Sequence, residues 1–173
     1  MPLKSRAPLG AAALLLLALP LALVCARADE APTQVRVVTN MGEFVIEVRA
    51  DRAPLTVANF LRYVREGFYT NTLIHRVVPN FVVQDGDPRG DGWGGPAFVL
   101  RDEINPVRYQ SGTVGMALSG PDTGGSQFFI STAPAPHLDG EYTLFGHVAA
   151  GMDVVDRIRP GDVIQRVEIW DGR

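Results

Sequence analysis

Few residues in this chain are of the types and spacings that do chemistry. Three histidines, His75, His137 and His147, stand at no metal-ligand spacing, and the single cysteine, Cys25, can form neither an internal disulfide nor a cysteine-based zinc site. Ser126 follows Gly124-Gly125, but Gln127-Phe128 comes next, so the Gly-x-Ser-x-Gly turn of a hydrolase nucleophile is missing. The run Gly90–Gly95 (Gly-Asp-Gly-Trp-Gly-Gly) superficially looks like a phosphate loop. It lacks the Gly-Lys-Ser/Thr of that motif and reads as a turn-rich loop. Two segments are more informative. Ile74–Asp87 carries Arg76, Phe81, Val82 and Gln84, and Gly115–Ile130 carries Ala117, Gln127 and Phe129. Taken singly, each residue reads as part of a core, an arginine ion pair beside buried phenylalanines. Phe81 and Gln84 do not share a strand face, so a bend near Val82 or Val83 is expected if both serve one site.

The elements that must position these residues are mostly strands. Gln34–Thr39 is β-branched, Asn40-Met41-Gly42 is a turn signal, and Glu43–Val48 alternates with Phe44, Ile46 and Val48 on one face. This predicts an opening hairpin. Asp51–Glu66 reads as a helix with Pro54 in its first turn, Asp51 near its N-terminus and Gly67 as its stop. Val57, Phe60, Leu61 and Val64 give it one buried face. From Thr72 to Val148 the apolar runs Leu73–Val78, Phe81–Gln84, Phe98–Leu100, Phe128–Ile130 and Thr143–Val148 are short and separated by Gly, Pro, Asn and Asp. A second short helix is expected over Met152–Arg159, stopped by Pro160-Gly161, and a last strand over Val163–Trp170. Pairing that strand with the first hairpin would cover exposed edges. The pattern predicts a mainly β fold, a closed antiparallel barrel with two helices outside it.

The chain has 173 residues, with 46% hydrophobic, 20% charged, 18 Gly and 13 Pro. That is one globular domain rather than a disordered chain. The first residues stand apart. Lys4 and Arg6 precede a Leu/Ala-rich run over Leu9–Val24, and Ala26-Arg27-Ala28 fits a cleavage site. The run is shorter than the about 20 apolar residues of a membrane span. Residues 1–28 are therefore read as a secretory signal and 29–173 as the domain. An uncleaved anchor and a lipid anchor through Cys25, where the preceding Val24 is not small, are the lesser readings. Removing Lys4, Arg6 and Arg27 takes the net charge from −3 to −6. An acidic, cysteine-free domain suits an oxidising compartment, periplasmic or extracellular, and argues against a nucleic-acid partner.

The two informative segments, with Leu138-Asp139-Gly140-Glu141-Tyr142-Thr143-Leu144-Phe145-Gly146-His147-Val148, strongly resemble the cyclophilin family of peptidyl-prolyl cis–trans isomerases. The resemblance runs from Val35 to Ile169. It implies an eight-stranded barrel capped by two helices and an enzyme that needs no cofactor or metal. It places the family's catalytic arginine on Arg76 and its substrate-binding glutamines on Gln84 and Gln127, with Gln84 expected to orient Arg76. The proline pocket falls on Phe81, Val82, Phe129 and Leu138, and the backbone-contacting alanine on Ala117. Two further substrate-binding positions fall on His137 and Tyr142, where animal members usually carry tryptophan and histidine. Val82 and Leu118 also depart from the commonest methionine and asparagine. The expected partners are proline-containing peptides and unfolded exported proteins, met by a monomer. The competing reading is a proline-peptide binding module or holdase that keeps the pocket without needing Arg76.

Overall fold

Alternation opens the fold as a hairpin. In a computed structural model, which describes residues 33–172, β1 (Gln34–Thr39) pairs antiparallel with β2 (Gly42–Val48). Gly42, at φ 128°, takes a conformation that a side chain would resist. Helix α1 (Pro54–Arg65) follows, starting at Pro54 and burying Val57, Phe60 and Val64 as its spacing predicts. The carboxylate at its N-terminus is not Asp51, which pairs with Arg49 at 2.9 Å. It is Glu103, which accepts from the backbone N–H of Leu55 at 3.0 Å and of Thr56 at 2.7 Å. A long-range carboxylate therefore fills the role expected of a local one.

The remaining strands are β3 (Thr72–Leu73), β4 (Arg76–Val78), β5 (Val82–Asp85), β6 (Thr113–Met116), β7 (Phe128–Ser131), β8 (Leu144–Ala150) and β9 (Val163–Trp170). Helix α2 spans only Met152–Val155, shorter than the expected Met152–Arg159 because the chain leaves helical geometry in turns well before Pro160. The run at Phe98–Leu100 forms no strand and contributes one bridge, Leu100 to Gly124.

The strands form one antiparallel sheet in the order β3-β9-β1-β2-β8-β6-β7-β5-β4. This corrects the expected closed eight-stranded barrel: among the described residues the sheet has nine strands and curls into an open half-barrel. The physical reason lies in the chain path. The two edge strands, β3 and β4, are consecutive and joined only by Ile74-His75, so the chain itself spans the seam and the two edges do not pair. The last strand does pair with the first hairpin, β9 against β1.

Side-chain alternation sorts the core into two clusters. Val83, Phe128 and Ile130 pack inside with Phe60, Tyr69 and Phe145. Val82 and Phe129, one residue out of step, face the other way and pack with Tyr109, Ala135, Leu138 and Leu144. The second cluster is the floor of the site.

Candidate active site

Strand register alone brings the key residues into line. Arg76 on β4 lies opposite Gln84 on β5, Gln84 lies opposite Phe129 on β7, and Phe129 lies opposite Gly115 on β6. Residues directly opposite in antiparallel strands project to the same face. Four strands thus deliver a guanidinium, an amide, an aromatic ring and a gap to one row.

The gap is required. A Cβ on Gly115 would stand 2.3 Å from the Tyr109 hydroxyl and 2.5 Å from Cζ of Phe129. Gly115→Ala is therefore expected to displace the Phe129 ring. Overpacking of this kind costs about 1–3 kcal/mol. Thermal melting should register that loss, and steady-state kinetics should show a raised KM.

Hydrogen bonds then fix the polar half. Arg76 Nη1 donates to Gln84 Oε1 at 3.1 Å, and Gln84 Nε2 donates to Gln127 Oε1 at 3.0 Å. Gln127 Nε2 donates to the carbonyls of Gly92, at 3.0 Å, and Gly94, at 2.9 Å. The loop holding those carbonyls is organised by Asp87, a fully buried carboxylate. It accepts from the backbone N–H of Arg89 at 2.7 Å, Asp91 at 3.0 Å and Gly92 at 2.5 Å. Burial alone would raise its pKa, but these backbone donors outweigh burial and hold it below the usual carboxylate value. A phosphate loop needs its N–H groups unspent; here Asp87 takes them, in keeping with the turn-rich reading of Gly90–Gly95.

The apolar half lies beside this row. The Arg76 guanidinium is 5.8 Å from the Phe81 ring centroid, and Phe81 is 5.2 Å from the His137 ring. Phe129 meets Tyr142 edge-on at 5.6 Å and stacks on Tyr109 at 5.6 Å. Val82, Phe129 and Leu138 are buried, and Phe81, Ala117 and Tyr142 pack against them half-buried. All ten residues singled out from the sequence therefore gather on one face. Phe81 arrives there by a different route from the expected bend in the strand. It precedes β5, in the turn at Pro79-Asn80, where Asn80 adopts φ 57°. Leu138 and His137 come from a single 3-10 turn, Pro136–Leu138, that the sequence pattern did not reveal.

Beyond Arg76 a cleft of about 670 Å³ continues between the Gly90–Gly95 loop and the Leu118–Thr123 turn, walled by Gln84, Trp93, Phe98, Ala117, Leu118 and Gln127. Trp93 is 83% exposed at its rim. Asp87, Trp93 and Tyr109 were not singled out from sequence. The run Gln84-Asp85-Gly86-Asp87, with acids flanking a glycine at a strand end, was the available signal for the first.

The family model for cyclophilin type peptidyl-prolyl cis-trans isomerase/CLD matches residues 34–170, nearly all of the described chain. The chain belongs to this family. It is a cyclophilin-type peptidyl-prolyl cis-trans isomerase. It is 45% identical over 138 residues to the isomerase CYP18-2 of Arabidopsis thaliana, covering 77% of this chain and 84% of that one. Against a peptidyl-prolyl cis-trans isomerase of Helicobacter pylori it is 44% identical over 133 residues, covering 75% and 82%. Against peptidyl-prolyl cis-trans isomerase B of Bacillus subtilis it is 45% identical over 125 residues, covering 71% and 87%. A crystal structure of a cyclophilin-type isomerase of Cryptosporidium parvum matches with a TM-score of 0.78 at 32% identity, covering 82% of this chain and 99% of that one. The same Cryptosporidium cyclophilin was also solved in the presence of the dipeptide Ala-Pro, a match with a TM-score of 0.76 at 32% identity, covering 80% of this chain and 99% of that one.

Proposed function

We propose that this cyclophilin isomerises X-Pro bonds with Arg76 as its catalytic residue and Phe81, Val82, Phe129, Leu138, His137 and Tyr142 as the walls that hold the proline ring. The observation that carries this reading is the hydrogen-bonded row Arg76–Gln84–Gln127 set beside the Phe81–Phe129–Leu138 floor. The Ala-Pro dipeptide used with the Cryptosporidium relative supports a substrate of the same chemistry.

The reaction breaks no covalent bond. Rotation about a peptide C–N bond meets a barrier of about 18–20 kcal/mol, because the planar forms are conjugated. For X-Pro the uncatalysed step takes about 10–100 s. In the twisted transition state conjugation is lost, the proline nitrogen becomes pyramidal, and its lone pair becomes an acceptor. A guanidinium donor aimed at that nitrogen favours the twisted state over both planar states. Hydrogen bonding to Gln84 Oε1 uses one of the five N–H donors of Arg76 and orients the rest. Turnover of about 10³ s⁻¹ would need roughly 10⁴–10⁵-fold acceleration, or about 5.5–7 kcal/mol. One positioned charged donor and an immobilised ring are of the right size for that.

Gln127 would bind the peptide backbone beside the ring, and Ala117, whose N–H donates to the Gln127 carbonyl at 3.0 Å, would lie along the same strand of substrate. We further propose that the clients are exported proteins folding in a periplasmic or extracellular space. This rests on the charge and apolarity of residues 1–28, which lie outside the described residues, and on the absence of cysteine from residues 29–173. N-terminal sequencing of the protein from fractionated cells tests it. A chain in the exported fraction beginning at Asp29 is the expected result, and an intact Met1 terminus in the cytosolic fraction would overturn it.

A further inference from the structure

Asp85 follows Gln84 on β5 but points the opposite way, into the half-barrel, where it is 2% exposed. There Thr72 Oγ1 lies 3.2 Å from Asp85 Oδ2. Thr72 belongs to the edge strand β3 and Asp85 to β5, the neighbour of the opposite edge strand β4. Their contact is a side-chain bond across the open seam. It closes just where Ile74-His75 carries the chain over to Arg76.

The proton count at this contact is informative. Thr72 Oγ1 has a single proton and two acceptors in reach, the Tyr69 carbonyl at 3.0 Å and Asp85 Oδ2 at 3.2 Å. An ionised Asp85 brings only acceptors, so one of those two contacts would go without a proton. A neutral Asp85 removes the conflict. Its Oδ2–H donates to Thr72 Oγ1, the Thr72 hydroxyl donates to the Tyr69 carbonyl, and Asp85 Oδ1 still accepts from the Gly86 N–H at 2.5 Å. Separately, the Tyr69 hydroxyl donates to the Ser126 carbonyl at 3.2 Å.

We propose that Asp85 is a positioning residue for the isomerase site: as a neutral acid it completes a hydrogen-bonded chain across the seam, and its ionisation breaks the chain and lowers turnover. The effect reaches the site through the backbone. Asp85 is bonded to Gln84, and Thr72 is tied through Ile74-His75 to Arg76. Loss of the seam contact lets the two edges part and lengthens the Arg76–Gln84 hydrogen bond. Among the described residues no cation acts on the carboxyl to offset a charge there. The nearby titratable groups are the Tyr69 phenol, from the segment after α1, and Asp87, from the loop after β5. Arg62 of α1 acts on Tyr69. Burial, reinforced by Asp87 and opposed by the Gly86 and Thr72 hydrogen bonds, raises the Asp85 pKa to about 7.

This inference rests on the reading of Arg76 and Gln84 as the working pair, and its test separates the two. The first measurement is the carboxyl carbon-13 shift of Asp85 in the wild-type protein as pH is raised, which reports the proton whatever Arg76 does. The second is the pH profile of kcat/KM for a prolyl peptide in wild type and Asp85→Asn, with melting used to confirm both are folded. The asparagine keeps an acceptor for Gly86 and a donor for Thr72 but does not titrate. Expected are a carboxyl midpoint near neutrality and a wild-type kcat/KM that falls about two- to threefold on the same midpoint. Asp85→Asn should lack that step and stay at the low-pH level. A carboxyl midpoint below about pH 5, near an ordinary aspartate, would overturn the proposal, as would a profile in Asp85→Asn that keeps the wild-type step.

Discussion

Arg76→Ala is expected to lower kcat/KM for a prolyl peptide by about 10²–10³-fold, the size of loss seen when one preorganised transition-state donor is removed. The loss should fall on turnover, because the pocket of Phe81, Phe129 and Leu138 that would grip the ring is left in place. The fold should persist. Arg76 is an exposed residue on an edge strand, and its side chain makes one hydrogen bond, to Gln84, and a 5.8 Å approach to Phe81. Surface positions of this kind usually matter to stability by no more than about 0.5 kcal/mol. Arg76→Lys should also be poor, since an ammonium cannot bond Gln84 and point a second fixed donor at the substrate as a planar fork does. A prolyl-peptide isomerisation assay with matched melting curves checks both variants. Activity within about twofold of wild type in Arg76→Ala would rule the donor out, because even a weak one is worth more.

Phe129→Ala is expected to damage stability and activity together. Phe129 is 5% exposed, stacks on Tyr109 and meets Tyr142 edge-on. Truncating a buried phenylalanine typically costs about 3–5 kcal/mol, part from lost burial and part from the cavity left behind. Tyr109, which stacks on the ring, is held back from refilling the space, because its N–H and hydroxyl are tied to Asp139 and the Tyr142 carbonyl. A raised KM with lower kcat per folded molecule is the expected kinetic result. If melting falls while activity per folded molecule stays at the wild-type level, Phe129 is a core residue and the proline pocket lies elsewhere.

How much of this was legible in the sequence varies from element to element, for physical reasons. The β1–β2 hairpin and α1 were legible because their signals are local: strict alternation around a turn, and a four-residue apolar face behind Pro54. The open seam was not. It depends on which short strands find each other, and β3 is two residues long, below any periodicity. The Glu103 cap of α1 was hidden for the same reason, being supplied from 47 residues away. Ten residues of this face, Arg76 and Phe129 among them, were identifiable from their motifs, while Asp87, Trp93 and Tyr109 were not. Their alignment was not, since Arg76, Gln84, Phe129 and Gly115 fall into one row only through the register of four strands. The turn at Asn80 shows the limit of strand reasoning most directly. A strict two-residue period puts Phe81 and Gln84 on opposite faces, and one left-handed residue ahead of the strand removes the conflict.

The most direct test separates binding from catalysis at Arg76. Exchange NMR on a prolyl peptide reads the affinity and the catalysed cis–trans rate in the same sample, for wild type and for Arg76→Ala. If Arg76 acts on the twisted state alone, the peptide should bind both proteins with dissociation constants within about threefold, while the catalysed rate drops by about 10²-fold or more. A rate that falls only in proportion to weakened binding would contradict the account, because Arg76 would then be holding the peptide rather than stabilising its rotation.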